Sequence, residues 1–312
     1  MHGQFSWYDL MTPDPAASKK FYPAVTGWGT EEWDKAAYTM WTAGGVPLGG
    51  MNPITPEQTA QGVRPHWLAY VTVDDVENSA SKVKSLGGQV MHGPEDIPDV
   101  GRFAIIRDPQ GAMLAIFKSA TPNPGYEGTP SVGNFSWHEL MATDYKRAFD
   151  FYRQLFGWES TGEMDMGPVG KYLTYGKNGK AYGGMFNRRP EHGQMPPNWT
   201  FYVTVKDLKK SLDTAKRTGG QVMLGPMDVP GGTVVVLKDS LGAPFALFEV
   251  KAATASMPTS RSKPKSKAKT AAKKKSKRAA KARGPRAGAK SKAKRGSARR
   301  AKPKAKKKAR RR

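Results

Sequence analysis

Cysteine is absent from this chain of 312 residues. That excludes disulfides, thiolate metal sites and a cysteine nucleophile, and it suits a reducing compartment. Long apolar runs are missing too. No stretch approaches the ~20 residues of a membrane span. The opening MHGQFSWYDLMTPD has neither the basic start nor the apolar core of a secretory signal, so a cytoplasmic protein is expected. No phosphate-cradling loop and no Ser-His-Asp order stands out. Acid is absent as well, but only at one end: no Asp or Glu follows Glu249.

That last absence splits the chain. Of 51 Lys and Arg, 28 fall in residues 251–312. The other 23 stand against all 26 acids in residues 1–250, a balance of −3. A nearly neutral body therefore carries a strongly basic tail, and the net charge of +25 describes neither. The tail has no aromatic residue, and Met257 is its one large apolar side chain. Such a segment buries too little surface to offset its ordering entropy, so disorder is expected for 251–312. Its runs, with Lys263, Lys265, Lys267, Lys269, Lys273, Lys274, Lys275, Lys277 and Arg278, resemble the tails of linker histones and histone-like bacterial proteins. Neutralising phosphates releases counterions, so sequence-independent, salt-sensitive binding of nucleic acid, DNA above all, is the expected partnership. An anionic membrane or polyphosphate is the alternative. Association with the nucleoid would follow from the DNA reading.

The body says most things twice. Residues 3–11 read GQFSWYDLM and residues 133–141 read GNFSWHELM, an offset of 130. Alternation predicts a strand with Phe5, Trp7, Asp9 and Met11 on one face, answered by Phe135, Trp137, Glu139 and Met141. Asp14-Pro15 then opens a helix that Pro23 is expected to kink or end. Asp144 opens its counterpart, with Ala148, Phe151, Tyr152, Leu155 and Phe156 as the apolar stripe and Gly157 as the stop. Short strands follow near 38–42 and 46–51, then near 172–175 and 181–186, each set closing on Gly-Gly-Met. A second kind of unit begins at Trp67 and again at Trp199: a strand, a helix ended by Gly-Gly, then QVMHGP or QVMLGP. A hairpin turned by Asp108-Pro109-Gln110-Gly111 or by 239–242 completes it.

The expected class is α+β: four βαβββ units forming two domains, 1–120 and 131–250, joined by the Pro/Gly linker 121–130. Two such units per domain, Asp-Pro-x-Gly before the last strand and Phe-Tyr in the first helix resemble the vicinal oxygen chelate superfamily. That group holds glyoxalase I, extradiol dioxygenases, and bleomycin- and fosfomycin-resistance proteins. The resemblance spans about 250 residues and implies a ligand cleft where paired units curl their sheets together. It also implies where a catalytic metal would sit. Those positions hold Trp7 and Trp137 on the first strands, Ala115 and Ala246 on the last, Leu68 and Thr200 on the middle ones, and Gly-Gly-Met in place of an acid. Trp and Ala offer no lone pair to a divalent cation. No family-type metal and no other cofactor is expected.

Asp9 and Glu139 are the candidate catalytic residues, each a ligand contact or general base; the alternative is a carboxylate satisfied by backbone N–H groups or an arginine. Trp7, Met11, Met51, Tyr70, Trp137, Met141, Met185 and Tyr202 are expected to line an apolar pocket with planar walls, or else to fill a core. Trp67 and Trp199 belong to the same repeated aromatic set. His138 has the wrong parity for the metal position and reads as surface or structural. His66 could reach the cleft mouth, and His2, His92 and His192 fall in loops. Three functions compete: a metal-independent binder of small apolar or aromatic molecules, a metal-independent glyoxalase-like lyase using Asp9 or Glu139, and a nucleoid-associated architectural protein. Pairing of the two domains within one chain is expected.

Overall fold

A computed structural model describes residues 1–34, 38–121 and 131–251; nearly all of the linker and of the basic tail lie outside the described residues. Met1–Ser256 forms one compact unit. Its first half runs β1 (Phe5–Thr12), α1 (Pro15–Thr26), β2 (Gly29–Trp33), β3 (Tyr38–Ala43), β4 (Val46–Pro53), a short α2 (Pro56–Ala60), β5 (His66–Thr72), α3 (Val76–Ser85), β6 (Gln89–Ile97), β7 (Gly101–Arg107) and β8 (Met113–Ser119). The second half repeats the plan with β9 (Phe135–Ala142), α4 (Tyr145–Phe156), β10 (Glu159–Asp165), β11 (Lys171–Lys177), β12 (Lys180–Asn187), β13 (Asn198–Thr204), α5 (Leu208–Arg217), β14 (Gln221–Val229), β15 (Gly232–Lys238) and β16 (Pro244–Val250). Among the described residues no helix is long and apolar enough to cross a membrane.

Each half builds one eight-stranded mixed sheet, ordered β2-β3-β4-β1-β5-β8-β7-β6 and β10-β11-β12-β9-β13-β16-β15-β14. The repeated strands β1 and β9 therefore sit near the middle, parallel to one neighbour and antiparallel to the other. The α+β class and its two similar domains are as the sequence predicts. The outer strands β2 and β10, which the apolar pattern does not mark, are exposed along nearly their whole length.

Three expectations are corrected. α1 continues through Pro23 to Thr26, because a proline so close to the end removes a single helical hydrogen bond, and Gly27 then caps the helix in the left-handed region at φ 80°. Phe5 does not share a face with Trp7. The register slips between these two residues, and the bulge turns Phe5 into the core with Tyr8 and Leu10; Phe135 does likewise. Met51 and Met185 also point into that core, beside Leu10 and Leu140 on the paired strands, so they do not line the cleft.

The core lies between the two sheets, where α1 packs on α5 and α3 on α4. Polar handles across this seam are matched in both directions. Tyr22 donates to Asp239 at 3.0 Å and Tyr152 to Asp108 at 3.0 Å. Trp67 donates to the Tyr22 hydroxyl at 2.9 Å, and Trp199 to that of Tyr152 at 3.2 Å. Trp28 reaches the Gly133 carbonyl at 2.6 Å and Trp158 that of Gly3 at 2.7 Å. Each fully buried ring contributes ~1.5–3 kcal/mol by the area it removes from water, and these bonds spare its polar atom an unmet demand. The two domains thus pair within one chain.

Candidate functional site

The faces turned away from the seam carry separate apolar clusters. In the first half Leu68, Tyr70, Ala115 and Phe117 pack with Trp7 and Phe103. In the second, Tyr202, Val234 and Ala246 pack with Trp137, Val236 and Phe248. One acid stands in each. Asp9 is only 4% exposed, although the side chains that cover it come from strands. Tyr38 of β3 and Tyr70 of β5 converge on it from opposite sides, so the sheet curls around this face.

Asp9 is fully engaged. Its Oδ1 accepts from the Tyr38 hydroxyl at 2.5 Å and the Trp7 indole at 3.1 Å. Its Oδ2 accepts from the Tyr70 hydroxyl at 2.8 Å and the Asn52 amide at 3.0 Å. A carboxylate has about four lone-pair directions, and here all are met. The expected partners were backbone or arginine; the actual ones are two phenols, an indole and an amide. Burial raises the Asp9 proton affinity above the ordinary range, and the four donors pull it back. Burial beside Asp9 likewise pushes the Tyr38 and Tyr70 phenols upward, which keeps them as donors.

Glu139 repeats half of this. Tyr172 donates to Oε2 at 2.8 Å and Tyr202 to Oε1 at 2.9 Å. Trp137 donates to the Tyr172 hydroxyl at 2.8 Å, as Trp7 does to that of Tyr38 at 2.9 Å, but unlike Trp7 it does not also reach the acid. Glu139 is partly exposed. Burial raises its proton affinity too, opposed by the two phenols and by the charge of Arg189. Phe186 takes the place of Asn52 and Arg189 that of Thr55, at the offset of 134 that relates the Gly-Gly-Met motifs.

Trp7 and Tyr70 belong to the first of these clusters and Trp137 and Tyr202 to the second, and Met11 and Met141 share the acids' face by alternation. Trp67 and Trp199 lie in the core. His66 opens β5 opposite Met11 and donates from Nδ1 to the Arg64 carbonyl at 2.7 Å; burial lowers its pKa. His138 is wholly buried at the seam. Its Nδ1 donates to the Tyr182 carbonyl at 2.7 Å, which leaves Nε2 to accept from the Tyr8 hydroxyl at 2.5 Å. Burial drives its pKa down to about 3. Tyr38, Asn52, Tyr172 and Arg189 were not singled out from the sequence. The two tyrosines had a signal, since both open the repeated strand before Gly-Gly-Met. Two surface recesses of about 700 and 690 Å³ lie along the seam instead, and neither includes Asp9 or Glu139.

Known proteins agree with this architecture. The family described as Glyoxalase/Bleomycin resistance protein/Dioxygenase superfamily matches residues 4–116 and 134–247. Across 253 residues the chain is 34% identical to "Putative glyoxylase CFP32" of Mycobacterium tuberculosis, covering 79% of this chain and 95% of that one. Across 262 residues it is 29% identical to the anthracycline biosynthesis protein DnrV of Streptomyces peucetius, covering 80% and 94%. Among solved structures, the 2,3-dioxygenase LapB of Pseudomonas sp. KL28 superposes with a TM-score of 0.56 at 11% identity, covering 80% of this chain and 93% of that one. A Mn(II)-bound glyoxalase from Novosphingobium aromaticivorans gives 0.55 at 14%, covering 80% and 82%. The chain belongs to the glyoxalase/bleomycin-resistance/dioxygenase superfamily.

One solved structure of this fold is Mn(II)-bound, and the residues here do not fit a metal of that kind. Trp7, Tyr70 and Ala115 sit side by side on three adjoining strands, as do Trp137, Tyr202 and Ala246, whereas Leu68 and Thr200, expected at the middle position, lie opposite Asp9 and Glu139. Each cleft offers one carboxylate already bound by phenols, and among the described residues no group of three His, Asp or Glu gathers. The Gly-Gly-Met motif shows why an acid is not accommodated there. A Cβ on Gly50 would meet the Tyr38 hydroxyl oxygen at 2.0 Å, and one on Gly184 would meet the Tyr172 ring at 2.1 Å. The tyrosine that holds the acid fills the space a longer side chain would need.

Proposed function

We propose that this protein binds a planar apolar or aromatic small molecule on the cleft face of its sheets, without a metal. The observation that supports this most is the composition of those faces: aromatic and alkyl walls around one carboxylate fixed by phenolic donors. DnrV and its kind are named for anthracyclines, which are flat fused-ring aromatics, and that likeness favours the same ligand class. Trp7 and Trp137 lie in the walls, so binding is read directly. Titration of the full chain with a hydroxyanthraquinone should quench tryptophan emission saturably and raise the melting temperature, because a ligand held only by the native state stabilises it. A panel of fused-ring aromatics that produces neither response overturns the reading.

A second reading is favoured by one specific observation. Glu139 is partly exposed and its proton affinity is raised by burial, which suits a general base in a metal-independent lyase. If that chemistry operates, Glu139→Gln abolishes turnover while ligand binding persists.

The basic segment 251–312 is proposed to hold nucleic acid, DNA in particular, which would keep this cytoplasmic protein at the nucleoid. Its 28 Lys and Arg without an acid support this. Full-length protein should retard duplex DNA at low salt and release it steeply as salt rises, whereas a chain ending at Ser256, the limit of the compact unit, should not bind. Equal retardation by both sinks the assignment. An architectural role with an idle body would be favoured if the tail alone compacts DNA as the whole chain does.

A further inference from the structure

The two acids differ in what they have left to offer. Asp9 accepts four hydrogen bonds and is 4% exposed. Glu139 accepts two and is partly exposed. Each Glu139 oxygen therefore retains one acceptor direction that no donor among the described residues uses. The fourth donor of the first cleft, Asn52, is replaced in the second by Phe186, which adds a flat wall instead of a competing amide.

Arg189 completes the contrast. Its charge acts on Glu139, yet the two stand beyond ion-pair distance. The guanidinium Nη1 pairs with Glu191 at 2.8 Å, and Glu191 is 59% exposed. An exposed ion pair of this kind is worth little and yields readily to another partner. The Arg189 Nε is buried and has no hydrogen-bond partner among the described residues. A buried donor left unmet is destabilising, so an acceptor offered to it is favoured. The first cleft has Thr55 at this place, whose side chain is committed to capping α2.

We propose that the second cleft recognises a flat aromatic molecule bearing an acidic hydroxyl in conjugation with a carbonyl, the hydroxyl donating to Glu139 and the oxygen-rich edge facing Arg189, and that the first cleft does not read this group. The proposal rests on the cleft-binding reading above and narrows it. A phenol conjugated to a carbonyl shares negative charge between its oxygens. Glu139 accepts its proton in a hydrogen bond, and Arg189 balances the charge that gathers on the ligand edge. Tyr172 and Tyr202 hold the carboxylate in place, and Trp137 in turn orients Tyr172.

The test compares 2-hydroxyanthraquinone with 2-methoxyanthraquinone, which has the same rings without the donor. Dissociation constants are read by tryptophan quenching on the full chain. Wild type should prefer the hydroxy compound by roughly tenfold or more, the usual worth of a hydrogen bond to a charged group. Glu139→Gln and Arg189→Met should each reduce that preference to within about twofold while leaving the methoxy compound's affinity nearly as it was. Arg189→Lys keeps the charge and should retain a preference. Arg188→Met, a neighbour whose guanidinium bonds the Met195 carbonyl instead, should change nothing. Melting curves of each variant separate loss of the contact from loss of the fold. Equal affinity of wild type for both compounds, or a preference that survives Glu139→Gln or Arg189→Met, overturns this proposal and leaves the general cleft reading standing. Failure of both compounds to bind overturns the general reading and this one with it.

Discussion

The seam and the clefts treat the internal duplication in opposite ways. At the seam the two halves remain nearly interchangeable: Tyr22 with Asp239 and Trp67 mirrors Tyr152 with Asp108 and Trp199, to within a few tenths of an ångström. In the clefts, Asp9 faces Glu139 across the repeat, Asn52 faces Phe186, Leu68 faces Thr200 and Thr55 faces Arg189. The reason is geometric. Each side of the seam packs on its own counterpart, so a change on one side must fit the other. The clefts face away from each other and carry no such coupling. Similarity in this chain is therefore greatest where the halves touch, the Tyr8–His138 pair excepted, and differences gather on the faces turned away from the seam.

The largest effect should come from breaking the seam's symmetry. Asp239→Ala strands the Tyr22 hydroxyl and two backbone N–H groups of the following turn, and Asp108→Ala does the same for Tyr152 and its own turn. Each should cost about 3 kcal/mol in urea unfolding, and the two should agree to within ~0.5 kcal/mol. A larger disparity would show that the seam is less symmetric than its distances.

Next is the acid limb of stability. The folded pKa of His138 is about 3, well below that of an unfolded histidine. Between those values the unfolded chain binds a proton that the native chain refuses. Stability contributed by neutral His138 is thus present above the unfolded pKa and lost as pH falls toward the folded one. The slope approaches about 1.4 kcal/mol per pH unit below the unfolded pKa, so acidifying from pH 6.5 to 5 should cost wild type about 1.6 kcal/mol more than His138→Gln. Asp9, Glu139, Asp108 and Asp239 act with the opposite sign, since their raised pKa values make the native chain bind protons more readily on the way down. Subtracting the variant's curve removes their contribution. A difference that does not grow with acidity would break the assignment of a neutral, buried imidazole.

The smallest effect sharpens the contrast between clefts. Asp9→Asn forces an amide donor against four existing donors and should cost roughly 1–2 kcal/mol. Glu139→Gln, with two donors and solvent access, should cost less than about 1 kcal/mol. Equal costs would mean that the acids are engaged alike.

Much of the fold was legible because the chain states it twice. The capping aspartates, the Gly-Gly stops and the Asp-x-x-Gly turns are local signals, and duplication separated them from coincidence. The central aromatics Trp7, Tyr70, Trp137 and Tyr202 followed from strand parity alone. Parity failed at Phe5 and Phe135, because a bulge is one residue of slippage that alternation cannot reveal. Met51 and Met185 were misplaced for a related reason: the two glycines before each leave no alternating pattern to fix their face. Arg189 was invisible, since it lies past a strand end and its counterpart in the first half, Thr55, carries no charge; its action on Glu139 is a property of the folded sheet.

Tyr8 and His138 occupy the same place in the repeated strand, and they touch each other. A residue near a two-fold axis meets its own copy. Two identical half-chains would set tyrosine against tyrosine or histidine against histidine at this point. A single fused chain can set a hydroxyl donor against a ring nitrogen that only accepts. The first half is thereby fitted to the second rather than to itself, which favours pairing of unlike halves over pairing of like ones. One unlike pair on the axis turns a self-complementary surface into a keyed one.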